Sequence, residues 1–202
     1  MLRSKLIAFS CFCAIALSFI AQADSTDDVF WRYWQQQMSA KKLTGDFLQE
    51  KHISVLSKPL ISKGSFKVTN DKIDWVITAP VAKHFVFDQN GVIDQSKSVS
   101  QTDAMGNNQA LKQFSAIFRP LFTGNKEQLQ QFFSISVKKL NEHKWVLDLR
   151  PKDALLRKGL DNVELIINQL VEVIHVTETN GDKTLIKLLN VQTHTYQDRK
   201  SG

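Results

Sequence analysis

The chain has 202 residues and a formal charge of +6, from 26 basic against 20 acidic side chains. A chain of that length can bury one sizeable core, and a basic excess this mild and this dispersed describes a solvated surface rather than a nucleic-acid footprint. Its two cysteines, Cys11 and Cys13, both fall in the leader, which excludes a disulfide framework or a thiolate metal site in the remainder of the chain.

Arg3 and Lys5 form a basic n-region, Leu6 to Ile20 an apolar h-region, and Ala21-Gln22-Ala23 a small-x-small cleavage signal. The apolar run is about 15 residues, short of the roughly 20 needed to span a bilayer. The expectation is cleavage after Ala23 and a soluble periplasmic protein of 179 residues starting at Asp24, one domain with 24 basic and 20 acidic residues. Neither cysteine is placed for a lipid anchor.

Ser25 to Asp28 read as a helix start with acids in the first turn, and Phe30, Tyr33 or Trp34, and Gln37-Met38 continue at helical spacing to about Lys41. Leu43 to Ile53 is a strand with Phe47 turned inward beside polar Asp46 and Glu50. Strands follow at Gly64 to Val68, Lys72 to Thr78, His84 to Asp88 and Gly91 to Gln95, the last pair joined by an Asn90-Gly91 turn. Their alternation gives the sheet one greasy face: Phe66 and Val68, then Ile73, Trp75 and Ile77, then Phe85 and Phe87 share a side, opposite Ser65, Lys67, Asp74, Val76, Thr78 and Val86.

A polar patch runs from Ser96 to Gln109, and then the period changes. Leu111, Phe114, Ile117-Phe118 and Leu121-Phe122 recur at three and four residues, one strongly apolar helix face that Pro120 kinks or splits. Gly124 stops it, and Asn125 caps a second short helix with Gln128 in the capping-box place. Alternation returns in Phe133 to Leu140, with Ile135 and Val137, and in Lys144 to Arg150, with Trp145, Leu147 and Leu149. Pro151 to Lys158 reads as one helical turn ended by Gly159, and Glu164 to Glu178 and Thr184 to Tyr196 as long strands joined at Asn180-Gly181.

No glycine-rich phosphate loop, nucleophile elbow or metal-protease motif is present, and His52, His84, His143, His175 and His194 lie far apart. What remains is apolar surface. Bulky Phe114, Phe118, Leu121 and Phe122 on a helix split by proline face a sheet already rich in Phe and Trp, an arrangement that leaves room for a gap between sheet and lid. An enzyme acting on an apolar substrate in that gap would draw its polar groups from His84, Asp88, Glu50 or Arg119; a third reading is an interaction protein with a filled core.

Several spaced motifs carry a family resemblance. They are Phe47-x-Gln49, Leu56-x-x-Pro59-Leu60-x-Ser62-x-Gly64-x-Phe66, Ile73-x-Trp75 with the downstream Pro80, Leu149-x-Pro151-Lys152-Asp153, and Glu178-x-x-Gly181-x-x-Thr184-x-Ile186-x-x-x-Asn190-Val191. In order and spacing the chain resembles the LolA-type periplasmic carriers of outer-membrane lipoproteins, and more closely the shorter relatives of that family. The resemblance implies an α+β fold, mainly β with helices: a strongly curved antiparallel sheet, an incomplete barrel, capped by helices over an apolar cavity that takes acyl chains.

Mapped onto this sequence, the resemblance makes Phe47, Phe66, Trp75, Ile77, Phe85 and Phe87 the sheet-side lining and Phe114, Phe118, Leu121 and Phe122 the lid, with Phe133, Ile135, Trp145 and Leu147 completing the lipid-binding set. It implies acylated lipoprotein or lipid cargo, an inner-membrane exporter and an outer-membrane acceptor as partners, a monomer, and no cofactor, metal, nucleic acid or catalysis. One departure stands out. Lipoprotein carriers of this family have an arginine in the loop before the tryptophan strand that holds the lid shut, and this loop reads Asn70-Asp71-Lys72.

Overall fold

The structure, a computed structural model, describes residues 26–38, 41–69, 71–96 and 118–195. Helix α1 (Thr26–Met38) leads into strands β1 (Lys41–His52), β2 (Leu60–Val68), β3 (Ile73–Ala79), β4 (Lys83–Asp88) and β5 (Gly91–Asp94). Helical residues 118–123 form α2, and α3 (Lys126–Phe132) follows. Strands β6 (Phe133–Lys139) and β7 (Lys144–Pro151), a 3-10 turn (Leu156–Lys158), β8 (Leu160–Asn168), β9 (Leu170–Glu178) and β10 (Lys183–Thr195) complete the chain.

The strands make a 10-stranded antiparallel sheet in the order β5-β4-β3-β2-β1-β10-β9-β8-β7-β6. Successive hairpins walk outward from β1 to one edge and back from the other edge to β10, which lands beside β1. The sheet stays open as an incomplete barrel. Strands β5 and β6 are its two edges, and one stretch of chain joins them. Its described part, α2 and α3, lies over the apolar face, where Phe118 meets Phe87 at 4.8 Å and Trp75 at 5.6 Å between ring centroids. Helix α1 covers the other side, with the Phe30 ring 5.4 Å from Trp145 of β7.

Local chemistry explains the joints. Gly91 and Gly181 take φ of 136° and 90° in the two Asn-Gly turns, conformations that a Cβ disfavours. Gly124 ends α2 with φ 65°, and the Asn125 carboxamide accepts the Gln128 N–H at 2.9 Å to open α3, as the capping-box spacing predicts. Trp34 of α1 packs on that turn: a Cβ on Gly124 would sit 3.3 Å from the Trp34 ring.

Several boundaries differ from the sequence reading, among them the start of β8 at Leu160 instead of Glu164. Helix α1 ends at Met38, and Lys41 already belongs to β1. Strand β2 begins at Leu60, where the consecutive pair Leu60-Ile61 hides the alternation. Strand β7 runs through Pro151, and of the predicted turn only Leu156–Lys158 is helical. The run from Glu164 to Glu178 is two strands, not one. Gln169 takes φ 62° and turns the chain so tightly that Asn168 pairs with Leu170. The Asn168 amide steadies that corner by donating to Glu172 at 3.0 Å. The expected leader, Leu111, Phe114, Ile117 and most of the polar patch lie outside the described residues.

Candidate functional site: an apolar hollow at one end of the sheet

Cross-strand rows on the apolar face build the site. Along β1 the inward positions Leu43, Gly45, Phe47, Gln49 and Lys51 pass from apolar to polar to charged, so that strand carries a gradient from the core to one end of the sheet. The deep rows are aromatic. The Phe47 and Trp75 rings stack at 3.9 Å with 20° between planes, Trp75 lies 6.0 Å from Phe66, and Phe122 lies 6.1 Å from Phe66. Gly64 makes this closeness possible. A Cβ there would stand 1.8 Å from the Val76 carbonyl oxygen and 2.9 Å from the Phe47 ring. Aromatic edges and faces therefore fill the β1–β4 side.

The rows across β8, β9 and β10 are aliphatic. Val163, Val176 and Thr184 align in one row and Leu165, Ile174 and Ile186 in the next, where Gln49 of β1 joins them. Those side chains reach less far, and among the described residues Phe118, Leu121, Leu155 and Leu156 close over them. A cavity of about 510 Å³ is left between. Its rim is polar: Gln49, Glu178 and Thr184 line it, and Lys51 Nζ donates to Glu178 Oε1 at 2.8 Å. Beside the rim, Asp182 is buried and accepts the Ser54 N–H at 2.9 Å, tying the β1–β2 loop to the β9–β10 turn. That backbone hydrogen bond, chief among several, holds the Asp182 carboxyl below its ordinary value, against the opposing effect of burial.

Among the described residues, Phe118 and Leu121 are the members of the expected lipid-binding set that line this cavity. Phe47, Phe66, Trp75, Phe87 and Phe122 pack against one another deeper in, with Ile77 and Phe85 partly buried against them. Phe133, Ile135, Trp145 and Leu147 belong to the core under α1, and Phe114 lies outside the described residues. Sequence reasoning missed Leu155, Leu156, Leu160, Val163, Ile174, Val176 and Ile186. The signal for Val163, Ile174, Val176 and Ile186 was a row of β-branched residues, legible only once the β8–β9 corner at Gln169 is known.

The polar groups named for catalysis are not brought together. His84 Nε2 lies 3.2 Å from Asp74 Oδ1 on the outer face, Asp88 accepts the Asn90 and Gly91 N–H groups in its turn, Glu50 lies 3.7 Å from Lys187, and Arg119 sits on α2. A shallow outer groove of about 620 Å³ holds His84 and Asp74 among Thr44, Ser65 and Lys67. Lys72, in the loop before the tryptophan strand, pairs with Asp74 at 3.3 Å. No cluster of three or more His, Cys, Asp or Glu suited to a metal ion occurs among the described residues, and no described helix is long and apolar enough to cross a membrane.

No curated protein matches the chain. Among solved structures it is similar to the MucA/MucB complex of Pseudomonas aeruginosa, at 12% identity and TM-score 0.46 over 84% of this chain and 58% of that one, so it spans a little over half of that chain's length. It is similar to a LolA superfamily protein from Nitrosomonas europaea, at 9% identity and TM-score 0.46 over 84% of this chain and 94% of the other. A putative outer membrane lipoprotein-sorting domain from Vibrio parahaemolyticus is similar at 9% identity and TM-score 0.38, over 84% and 94% of the two chains. The family model for outer membrane lipoprotein carrier protein LolA matches residues 38–200, from the end of α1 through the whole sheet, and the chain belongs to that family.

Proposed function

We propose that the protein is a non-enzymatic periplasmic carrier, a single domain exported with cleavage after Ala23, whose hollow shelters an acyl chain of lipoprotein or lipid-like cargo. It takes cargo from an inner-membrane exporter and passes it to an outer-membrane acceptor. Membership of the LolA family supports a carrier or binding role. The observation that carries the reading is the unfilled aliphatic hollow of about 510 Å³. Small-molecule sites are commonly about 300–1,000 Å³ and mostly apolar.

The energetics suit transport. Shielding acyl carbons from water is worth about 0.8 kcal/mol per methylene, so a sixteen-carbon chain brings roughly 13 kcal/mol to be met during an aqueous crossing. The hollow meets part of this, and its polar rim leaves a headgroup in water.

Mass spectrometry of an organic extract of gently purified protein tests the reading, together with titration by a fluorescent fatty acid. Co-purifying acyl lipid and saturable probe binding are expected, and Val176→Phe, which adds a ring on the floor of the hollow, should weaken probe binding. An intact fold that yields no lipid and binds no probe overturns the proposal.

A further inference from the structure

The hollow opens at an end of the sheet that differs from its opposite. Four connections meet there: the β1–β2 loop 53–59, the β3–β4 loop 80–82, the β7–β8 connection 152–159 and the β9–β10 turn 179–182. They are tied to one another, because Ser54 N–H donates to Asp182 and Thr179 N–H and Oγ1 donate to the Gly159 and Lys158 carbonyls. These connections push apolar side chains into solvent. Val55 is 86% exposed and Val81 65%, and Leu56, Leu60, Ile61 and Leu155 are exposed around them. In the loops of the opposite end, Leu140 is the exposed large apolar group among the described residues.

Charge follows the same asymmetry. Lys58, Lys63, Arg157, Lys158 and Lys183 are exposed at this end. Its acids are mostly engaged: Glu178 with Lys51, Glu50 with Lys187 and His52, Asp182 with the Ser54 N–H, and Asp153 with the Leu155 and Leu156 N–H groups. Asp161 is the further exposed acid nearby. Apolar tips ringed by lysine and arginine match the two layers of an anionic bilayer surface, with the tips at acyl depth and the cations at the phosphates.

We propose that this end docks on an anionic lipid bilayer, with Val55, Leu56 and Val81 inserted and the free lysines on the headgroups. Docked this way, the mouth of the hollow faces the membrane, and an acyl chain passes between them without crossing water. Exposure and charge are its grounds, so the docking goes beyond the carrier reading and does not need it.

The test is co-sedimentation of the exported protein with vesicles of phosphatidylcholine alone and of equal parts phosphatidylcholine and phosphatidylglycerol. Binding to the mixed vesicles, weakening as salt rises, is expected. The pair Val55→Asp and Leu56→Asp should lower it by on the order of tenfold with an unchanged thermal midpoint, since both side chains stand in water. Leu140→Asp at the opposite end should leave it unchanged. Equal binding by the Val55/Leu56 variant, or no preference for phosphatidylglycerol, overturns the proposal. Absence of vesicle binding together with a Val55/Leu56 defect in cargo handover also overturns it, and assigns the tip to a protein partner. The fatty-acid titration contains no bilayer, so the carrier reading and the docking fail separately.

Discussion

The two halves of the apolar face are built from different side chains, and the difference decides where a guest has room. On the β1–β4 side, Phe47, Phe66, Trp75, Phe87, Phe118 and Phe122 touch ring to ring, down to a 3.9 Å stack. On the β8–β10 side, valine, isoleucine, leucine and threonine face a hollow of about 510 Å³. Rings long enough to meet across the gap fill it, whereas short branched chains hold the strands but leave the space above them empty. The aromatic side therefore reads as the rigid frame and the aliphatic side as the adaptable floor.

Removing volume should separate them most. Phe47→Ala deletes a ring that is 1% exposed between Gly64 and Trp75, and should cost about 4 kcal/mol in urea unfolding, with a slope unchanged from the wild type. Leu155→Ala, on the half-exposed roof of the hollow, should cost under about 0.5 kcal/mol. Comparable losses from the two would show that the hollow is packed like the frame.

Adding volume should keep that order, with the smaller addition costing more. Gly64→Ala sets a methyl against the Val76 carbonyl and should cost about 2 kcal/mol, because backbone and not a flexible side-chain end stands in the way. Val176→Phe adds far more volume, yet should shift stability by less than about 1 kcal/mol because the ring enters empty space. A severe destabilisation by Val176→Phe breaks the comparison, and with it the claim that the β8–β10 side is free to hold a guest.

These halves were unequally legible in the sequence. The frame could be read because Phe66, Trp75, Phe85 and Phe87 recur at every second position of their strands and their turns carry glycine, asparagine or proline. The floor was hidden by a weakly marked turn: Gln169, not a glycine or asparagine, is the residue that adopts φ 62°, and with Asn168 alone beside it the apolar stretch through Ile166 and Val173 reads as one strand. The aromatic residues were legible as an inward face, but inwardness does not tell a wall from a plug. That distinction depends on reach across the barrel, as in the Trp75–Phe118 contact at 5.6 Å, which joins residues far apart in sequence.

The smallest expected effect sharpens the comparison at the rim, where frame and floor meet. Asp182 has its carboxyl held below the ordinary 3.8, first by the Ser54 N–H, so the unfolded chain binds the proton more readily than the folded one. The stabilisation is thus fully present above the unfolded value and disappears as pH falls through the folded one. Asp182→Asn keeps an acceptor for Ser54 but removes the charge. Its thermal midpoint should lie slightly below the wild type at neutral pH and converge with it on acidification below about pH 4. Amide exchange at Ser54 should quicken while Trp75 keeps its protection, because the tie spans only the β1–β2 loop and the β9–β10 turn. Parallel midpoint curves for the two proteins would mean that the carboxylate charge does no more there than a neutral amide, leaving the rim to the Lys51–Glu178 pair.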